Sequence, residues 1–235
     1  MAYPPDESIF DRLRQHTWKW APRWHTPRLI IIHSTRSGIP GHMAQEYGST
    51  LNWQMSPSNR VVEADGSVWG SMSDRVIGHD GRLCRSLPDD CHPTWSAGHM
   101  DPWAISYELA QPTNDTPFTE ATLDRAAREI AKDCGRYNIP PVVLPYVSGD
   151  NHEAPGIARH DHSANGRTWG KSDPGVLFDD QAFERRVRAY MPTCTPEQLL
   201  ALIRALTPAL LAGDLATLYR QIVYLYALAH QPLPV

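Results

Sequence analysis

One continuous apolar run and one mostly apolar stretch stand out from an otherwise mixed pattern of hydrophobic and polar positions. Residues 29–33 read Leu-Ile-Ile-Ile-His, and residues 103–109 read Trp-Ala-Ile-Ser-Tyr-Glu-Leu. An apolar run without alternation is typical of a strand covered on both faces, as in a parallel sheet flanked by helices. Each run therefore predicts a buried central strand, and the first one would present His33 at its C-terminal end.

A helical period marks residues 119–137 as the clearest helix. Leu123, Ala126, Ala127 and Ile130 recur on one face, and Thr119 precedes them as a suitable N-cap. Residues 181–190 predict a shorter helix. Together with the buried strands, these helices indicate an α/β fold with a mixed central sheet.

Weaker patterns fill the rest of the first 192 residues. A short helix is predicted near residues 8–16, and residues 38–50 read as loop with a possible helix. An Asp65-Gly66 turn predicts a hairpin between two short strands. The predicted short strands are residues 52–55, 61–64 and 67–69. Residues 71–94 are rich in turn formers, and residues 138–178 read mostly as loop with short extended pieces.

The composition changes after Pro192 and Pro196, which predicts a domain boundary there. We expect a main domain over residues 1–192 and an α-helical hairpin appendage over residues 193–235. Within it, residues 195–206 and 214–230 each carry an apolar stripe at helical spacing. This hairpin would pack on the main domain or pair with a second copy, and contact with a cell wall or membrane through residues 195–230 is the alternative.

Composition and charge narrow the function classes. The 235 residues are 41% hydrophobic and 20% charged, which is ordinary for a globular protein. The formal net charge of −4 weighs against a nucleic-acid partner, because such binding needs a basic surface. Eleven histidines direct attention to metal chemistry.

Compartment signals are sparse. The first eight residues lack the basic and apolar regions of a secretory signal peptide, and no window predicts a transmembrane segment. We therefore expect synthesis in the cytoplasm. Cys84 and Cys91 could form a short disulfide, but reduced, partly buried thiols are the favoured interpretation.

Three residues form a candidate zinc site. His33 ends the first buried strand, His160 lies in Gly-Ile-Ala-Arg-His-Asp-His, and Asp173 lies in Gly-Lys-Ser-Asp-Pro-Gly. Each residue alone has an ordinary structural explanation. Catalytic zinc, however, takes three nitrogen or carboxylate ligands and keeps one open position, and these residues match that requirement together.

The order of these motifs resembles that of the zinc-dependent N-acetylmuramoyl-L-alanine amidases, which include phage endolysins and share a fold with peptidoglycan recognition proteins. The resemblance rests on Ile30-Ile31-Ile32-His33-Ser34-Thr35, Ile105-Ser106-Tyr107-Glu108-Leu109, the Gly-Ile-x-x-His motif and Lys171 to Gly175. It implies a mixed sheet flanked by helices, one catalytic zinc ion and peptidoglycan as substrate.

The resemblance also implies residue roles. His33, His160 and Asp173 would bind the zinc ion, Glu108 would serve the attacking water, and Lys171 would lie near the scissile carbonyl. His99, Trp95 and Asn52 are tentative residues of the substrate groove. The physical chemistry agrees, because a carboxylate can shuttle protons and a cation can stabilise an oxyanion during amide hydrolysis.

Several alternatives stay open at this point. His162 competes with His160 as a ligand, because in an extended segment both side chains would point to the same side, and His152-Glu153 is a less well placed candidate. The favoured function is a phage or prophage endolysin, released by a holin-type pore to act on the cell wall. A cytoplasmic recycling enzyme, a non-catalytic recognition module and a zinc peptidase acting on the stem peptide are the alternatives.

Overall fold

Eleven strands lie in residues 3–36, 38–39, 41–145 and 154–191, the part of the chain that this computed structural model describes. They are, in chain order, β1 (Glu7–Ser8), β2 (Trp20–Pro22), β3 (Leu29–Ser34), β4 (Val61–Val62), β5 (Val68–Trp69), β6 (Arg75–Ile77), β7 (Leu83–Arg85), β8 (Cys91–Pro93), β9 (Ala104–Leu109), β10 (Val143–Leu144) and β11 (Gly156–Arg159). The same residues form five α-helices: α1 (Phe10–Leu13), α2 (Met43–Met55), α3 (Glu120–Tyr137), α4 (Ala164–Thr168) and α5 (Asp180–Tyr190).

Seven of these strands form one sheet in the order β1-β7-β6-β9-β3-β11-β10. Neighbouring strands are parallel except β6 and β7, which are antiparallel. Strands β2 and β8 pair separately, and β4 and β5 form the predicted hairpin. The mixed α/β architecture expected from the sequence is therefore confirmed for the described residues.

Strand β3 lies inside the sheet, and all six of its residues are buried. Ile30 and Ile32 join a core cluster with residues of α3 and α5, whereas Leu29 and Ile31 join a second cluster on the opposite face. Alternate side chains of a strand point to opposite faces, and here both faces are covered. This is why the run is continuously apolar.

Helix α3 has the boundaries and the buried face predicted for it. The Thr119 side chain accepts a hydrogen bond from the backbone N–H of Thr122, while Ala126, Ala127 and Ile130 are fully buried. Asn138 ends the helix in the left-handed conformation, which Asn tolerates better than most residues. Helices α3 and α5 cover one sheet face, and Tyr47 and Leu51 of α2 pack against Val76 and Cys84 on the other.

One sequence-based prediction is wrong in this region, and a neighbouring segment contains strands that its pattern does not indicate. Residues 52–55 are the last turn of α2 rather than a strand, because Leu51 and Gln54 lie on the buried face of that helix. Residues 71–94 contain three short strands, β6, β7 and β8. A strand of three residues is too short to display a clear period, which is why this segment reads as turns.

The predicted appendage, residues 193–235, lies outside the described residues, so the domain division and the contacts of residues 195–230 stay predictions. His152, Glu153 and Cys194 lie outside as well. Cys84, Cys91 and Cys134 are buried free thiols, in agreement with the favoured interpretation of the first two. Among the described helices, none combines the length and the hydropathy needed to cross a membrane.

Candidate metal centre and its cleft

Candidate site residues lie at the ends of three adjacent parallel strands, at one edge of the sheet. His33 on β3 is in register with Glu108 on β9, and β11, on the other side of β3, leads directly into His160. The carboxyl ends of parallel strands are the usual position of ligand sites in open α/β sheets. The fold therefore brings together residues that are far apart in sequence.

The alternation of each strand selects the face on which these side chains lie. His33 has the same parity as Leu29 and Ile31, and Glu108 has the same parity as Ala104. Leu29, Ile31 and Ala104 belong to the core cluster on the face away from α3. Glu108 and His33 consequently project to the same side of the sheet.

His33, His160 and Asp173 form a compact buried cluster. His33 Nδ1 lies 3.0 Å from His160 Nδ1. Asp173 Oδ2 lies 3.0 Å from His160 Nδ1 and 3.4 Å from His33 Nδ1. Three donor-type atoms therefore converge on one small volume.

These donors fit a tetrahedral metal ion such as zinc. Ligand atoms about 2.0 to 2.1 Å from tetrahedral zinc are separated from each other by about 3.3 Å, and the three observed separations lie close to this value. Two imidazole nitrogens and one carboxylate are also a known donor set for catalytic zinc. His33, His160 and Asp173 would hold the ion and leave one position toward the cleft.

Local hydrogen bonds fix the backbone that carries His160 and Asp173. The Ser163 hydroxyl donates to the His160 carbonyl at 2.8 Å and accepts from the Gly166 N–H at 2.9 Å. The Asp161 N–H donates to the Asp173 carbonyl at 2.9 Å. A Cβ atom on Gly166 would lie 1.9 Å from the His160 carbonyl oxygen, so only glycine permits this close approach.

The structure brings His160, rather than His162, into the cluster. Residues His160–His162 form a 3₁₀ turn, whereas the expected equivalence of the two side chains assumed an extended segment. In a 3₁₀ turn, successive side chains rotate by about 120°, so residues two apart point in different directions. The extended conformation, in which both side chains would point to the same side, is therefore not the one that this segment adopts.

Burial and hydrogen bonding set the protonation states of His33 and Asp173. Burial, with a smaller contribution from the neighbouring His160, lowers the pKa of His33 to about 4 despite the opposing effect of Asp173, which keeps the ring neutral. Burial opposes ionisation of Asp173, but hydrogen bonds with His160 and His33 hold the pKa of this carboxyl well below its usual range. A neutral imidazole and an ionised carboxylate are the forms that bind metals.

The second nitrogen of His33 has its own partner. His33 Nε2 lies 3.2 Å from the hydroxyl of Ser96. The buried carboxylate of Asp101 accepts the backbone N–H groups of Ser96 at 2.9 Å and of Ala97 at 2.8 Å. A proton on Nε2, donated to Ser96, leaves the Nδ1 lone pair directed at the cluster.

A cleft of about 470 Å³ opens over the cluster. Glu108, Lys171 and Arg36 line it together with the three donor residues. A second cavity of about 330 Å³, bordered by α2, shares Thr35, Arg36, Ser71 and Glu108 with the first. The shared residues join both cavities into one groove that passes the donor cluster.

Glu108 lines the cleft beside the donor cluster, where a carboxylate can act as a proton acceptor. Its Oε2 atom is buried and makes no hydrogen bond within the described residues. Burial, with a smaller contribution from Asp173, raises the pKa of Glu108 to about 8, while Lys171 and Arg36 act in the opposite direction. A cation bound at the cluster would favour the ionised carboxylate.

Three stacked tryptophans form one wall of the cleft. The ring centroids of Trp69 and Trp95 are 4.1 Å apart, and those of Trp95 and Trp169 are 4.7 Å apart. Trp69 belongs to the β4–β5 hairpin, and Trp169 follows α4, just before Lys171. The stack therefore ties the hairpin to the loop that carries Asp173.

The structure places most predicted site residues at the cleft. His33, His160, Asp173, Glu108, Lys171 and Trp95 line it. His99 and Asn52 are exposed and are absent from the linings of both cavities, whose α2 side is formed by residues that include Ser49, Thr50 and Trp53.

Sequence reasoning missed the contributions of Ser96, Arg36 and Trp169. Ser96 lies next to Trp95, one of the predicted groove residues, and Arg36 follows His33 by three residues. Their proximity in sequence to predicted site residues could have identified both. For Trp169 the signal was its proximity to the Lys171 motif.

A family model described as N-acetylmuramoyl-L-alanine amidase matches residues 23–176. No curated protein matches the sequence. Among solved structures, the Staphylococcus aureus hydrolase AmiA in complex with its ligand aligns with a TM-score of 0.52 and 17% identity, over 81% of this chain and 85% of that one. A selenomethionine derivative of AmpD aligns with a TM-score of 0.50 and 20% identity, over 82% and 96%. The structural matches support the fold, and because the family model spans well over half of the sequence, the chain belongs to the N-acetylmuramoyl-L-alanine amidase family.

Proposed function

We propose that this protein is a zinc-dependent hydrolase that cleaves the amide bond between N-acetylmuramic acid and L-alanine in peptidoglycan. The observation that carries the proposal is the convergence of His33, His160 and Asp173, with donor atoms 3.0 to 3.4 Å apart, in a cleft that Glu108 and Lys171 also line. Family membership supports amidase activity in general, and the donor set supports zinc.

When bound, zinc would polarise the scissile carbonyl and lower the pKa of an attacking water to about 7. His33, His160 and Asp173 would hold the ion.

Glu108 would carry the proton between the reactants. Its carboxylate accepts a proton from the water as the new C–O bond forms, and returns that proton to the alanine nitrogen as the C–N bond breaks. The products are the lactyl carboxylate on the sugar and a stem peptide with a free amine. Because Oε2 has no hydrogen-bond partner among the described residues, no bond within them competes for this role.

Lys171 would stabilise the developing oxyanion. Its side chain is exposed to the cleft and lies two residues before Asp173. A cation at this position acts on charge that develops during the reaction, and removal of one such group typically lowers the rate by about 10²-fold.

The decisive experiment is mass spectrometry of purified peptidoglycan after digestion by zinc-loaded protein, with chelator-treated protein and the Glu108→Gln variant as controls. Free stem peptides with an exposed alanine amine, beside intact glycan, would support the proposal. Cleavage within the stem would identify a peptidase, and retention on the wall material without products would identify a recognition module.

We further propose that the enzyme acts as a phage or prophage endolysin on the assembled cell wall. The amphipathic segment of residues 195–230 extends beyond the family match and is the feature in support. Comparison of activity on intact sacculi and on soluble muropeptides tests this assignment, since a recycling enzyme would act on the soluble fragments alone.

A further inference from the structure

Arg36 occupies an unusual position in the groove. It is half-buried, follows the end of β3 and lines both cavities beside Glu108. Its backbone φ angle is 46°, in the left-handed region that non-glycine residues avoid. The backbone N–H of Arg36 donates to the Gln111 carbonyl at 2.9 Å, which helps to hold this conformation. Such conformations are often retained at functional sites.

The guanidinium of Arg36 donates its side-chain hydrogen bonds to neutral groups. Its Nε donates to the Ser34 hydroxyl at 3.0 Å, its Nη1 donates to the Ser172 hydroxyl at 2.8 Å, and its Nη2 donates to the Ser172 carbonyl. These contacts use three of the five N–H donors of a guanidinium. Within the described part of the chain, no carboxylate forms an ion pair with Arg36.

We propose that Arg36 is a specificity-determining residue that binds a carboxylate of the stem peptide close to the scissile amide. This inference rests on the proposed amidase function. A guanidinium that is half-buried, positively charged and without an ionic partner is suited to an anionic group, because its remaining donors match the two oxygens of a carboxylate.

The distance between the scissile amide and each carboxylate of the stem peptide indicates which carboxylate Arg36 would bind. Arg36 borders the cleft beside Glu108 and contacts Ser172, the neighbour of Asp173. An extended peptide advances by about 3.3 Å per residue, so a group one or two residues beyond the scissile bond stays within this part of the groove. The carboxyl of the second stem residue that is not part of a peptide bond, which can be free or present as a carboxamide, lies in that range.

A structural role is the competing explanation for Arg36. Its contacts with Ser172 also tether the loop that carries Asp173, so a substitution could act through the metal ligand. The two roles differ in what they predict, because a loop tether affects every substrate alike, whereas a carboxylate receptor affects only the substrate that carries the charge.

The test compares two soluble substrates that differ only in this carboxyl group, free in one and amidated in the other. We expect wild-type protein to favour the free carboxylate by about tenfold or more in kcat/KM, as for a hydrogen bond to a charged group. In Arg36→Gln, which loses the charge, this ratio should fall to near one, and Arg36→Lys should retain part of it. Ser172→Ala and the remote, exposed variant Arg12→Gln should keep the wild-type ratio.

The zinc affinity of every variant is measured as well, by competition with a chromogenic chelator. Equal loss of activity on both substrates, together with lower zinc affinity in Arg36→Gln, would overturn the inference in favour of a loop tether, and so would a wild-type ratio near one. Failure of wild-type protein to cleave either substrate would instead contradict the proposed amidase function.

Discussion

At the scale of single residues, the candidate metal centre depends on which nitrogen of His33 faces the cleft. The Ser96 hydroxyl contacts Nε2 at 3.2 Å, and Asp101 holds the backbone of Ser96 in place. Such outer partners orient a histidine ligand and influence its affinity for the metal. Ser96 and Asp101 are therefore positioning residues, which act on the metal through His33.

We expect Ser96→Ala to weaken zinc binding by about 10- to 100-fold, because outer-partner substitutions typically have that effect. Chelator competition measures the zinc affinity directly. Ser67→Ala, on the exposed β4–β5 hairpin, is a matched control and should bind zinc like wild-type protein. An unchanged affinity in Ser96→Ala would remove Ser96 from this role.

Substitutions of Asp173 and Glu108 should have different effects on zinc binding and on turnover. Asp173→Ala removes a proposed ligand, so we expect loss of tight zinc binding and of activity, with the fold retained because the core clusters lie elsewhere. Glu108→Gln removes the proposed proton carrier, so we expect zinc to remain bound while kcat falls by about 10²-fold or more. Zinc content and the rate of peptide release, measured on the same samples, distinguish the two outcomes.

Wild-type zinc stoichiometry in Asp173→Ala would contradict the ligand assignment. Wild-type turnover in Glu108→Gln would exclude Glu108 from proton transfer. Circular dichroism of both variants shows whether a loss of activity reflects unfolding instead.

At the scale of secondary-structure elements, short turns position the ligands as firmly as the long strands do. The 3₁₀ turn His160–His162 and helix α4 are joined by Ser163, which caps the helix and contacts the His160 carbonyl. Gly166 lies against that carbonyl with no room for a side chain. The geometry of His160 consequently depends on a glycine six residues away.

Two glycine-to-alanine substitutions should therefore act in opposite directions. Gly166→Ala would force the added methyl group against the His160 carbonyl, so we expect lower stability and weaker zinc binding. Gly135→Ala lies in α3 with open space around the added atom, so we expect it to raise the free energy of unfolding by up to about 1 kcal/mol. Urea unfolding of both variants, with zinc titration of Gly166→Ala, measures these effects. A Gly166→Ala protein with wild-type stability and zinc affinity would contradict the close approach.

At the scale of the whole molecule, the sheet provides a rigid edge at which distant segments meet. Strand β3 delivers His33, β9 delivers Glu108 and β11 leads to His160, while apolar clusters cover both faces of these strands. The fold also buries ionisable groups such as Asp101, which is 2% exposed, and their burial carries a stability cost. That cost depends on pH.

Burial raises the pKa of Asp101 to about 7 from an ordinary value of 3.8. Between these values the native state binds the proton more tightly than the unfolded state, so the contribution of Asp101 to stability falls as pH rises from about 4 to 7 and is constant above. We expect the unfolding free energy of wild-type protein, relative to that of Asp101→Asn, to decline over this range. Urea unfolding in chelator from pH 4.5 to 8 measures the difference, and a constant or rising difference would contradict the assigned pKa direction.

The sequence alone was sufficient for features encoded within one segment. The unbroken apolar run of β3, the periodic face of α3 and the Asp65-Gly66 turn each follow from local patterns, and all three are present in the structure. The candidate donors and Glu108 were also identifiable from the sequence, because their motifs resemble those of a known family in type and order. Local spacing failed at residues 52–55, where four residues do not distinguish a strand from the end of a helix.

Only the tertiary structure decided which of these groups meet. His33 and His160 are 127 positions apart, and their contact depends on the pairing of β3 with β11, which no local pattern specifies. The same packing selects His160 over His162, brings Ser96 to the second nitrogen of His33 and stacks three tryptophans from separate segments. Residue type and local period are properties of a short stretch of chain, whereas the distance between two side chains is fixed by the packing of the whole fold.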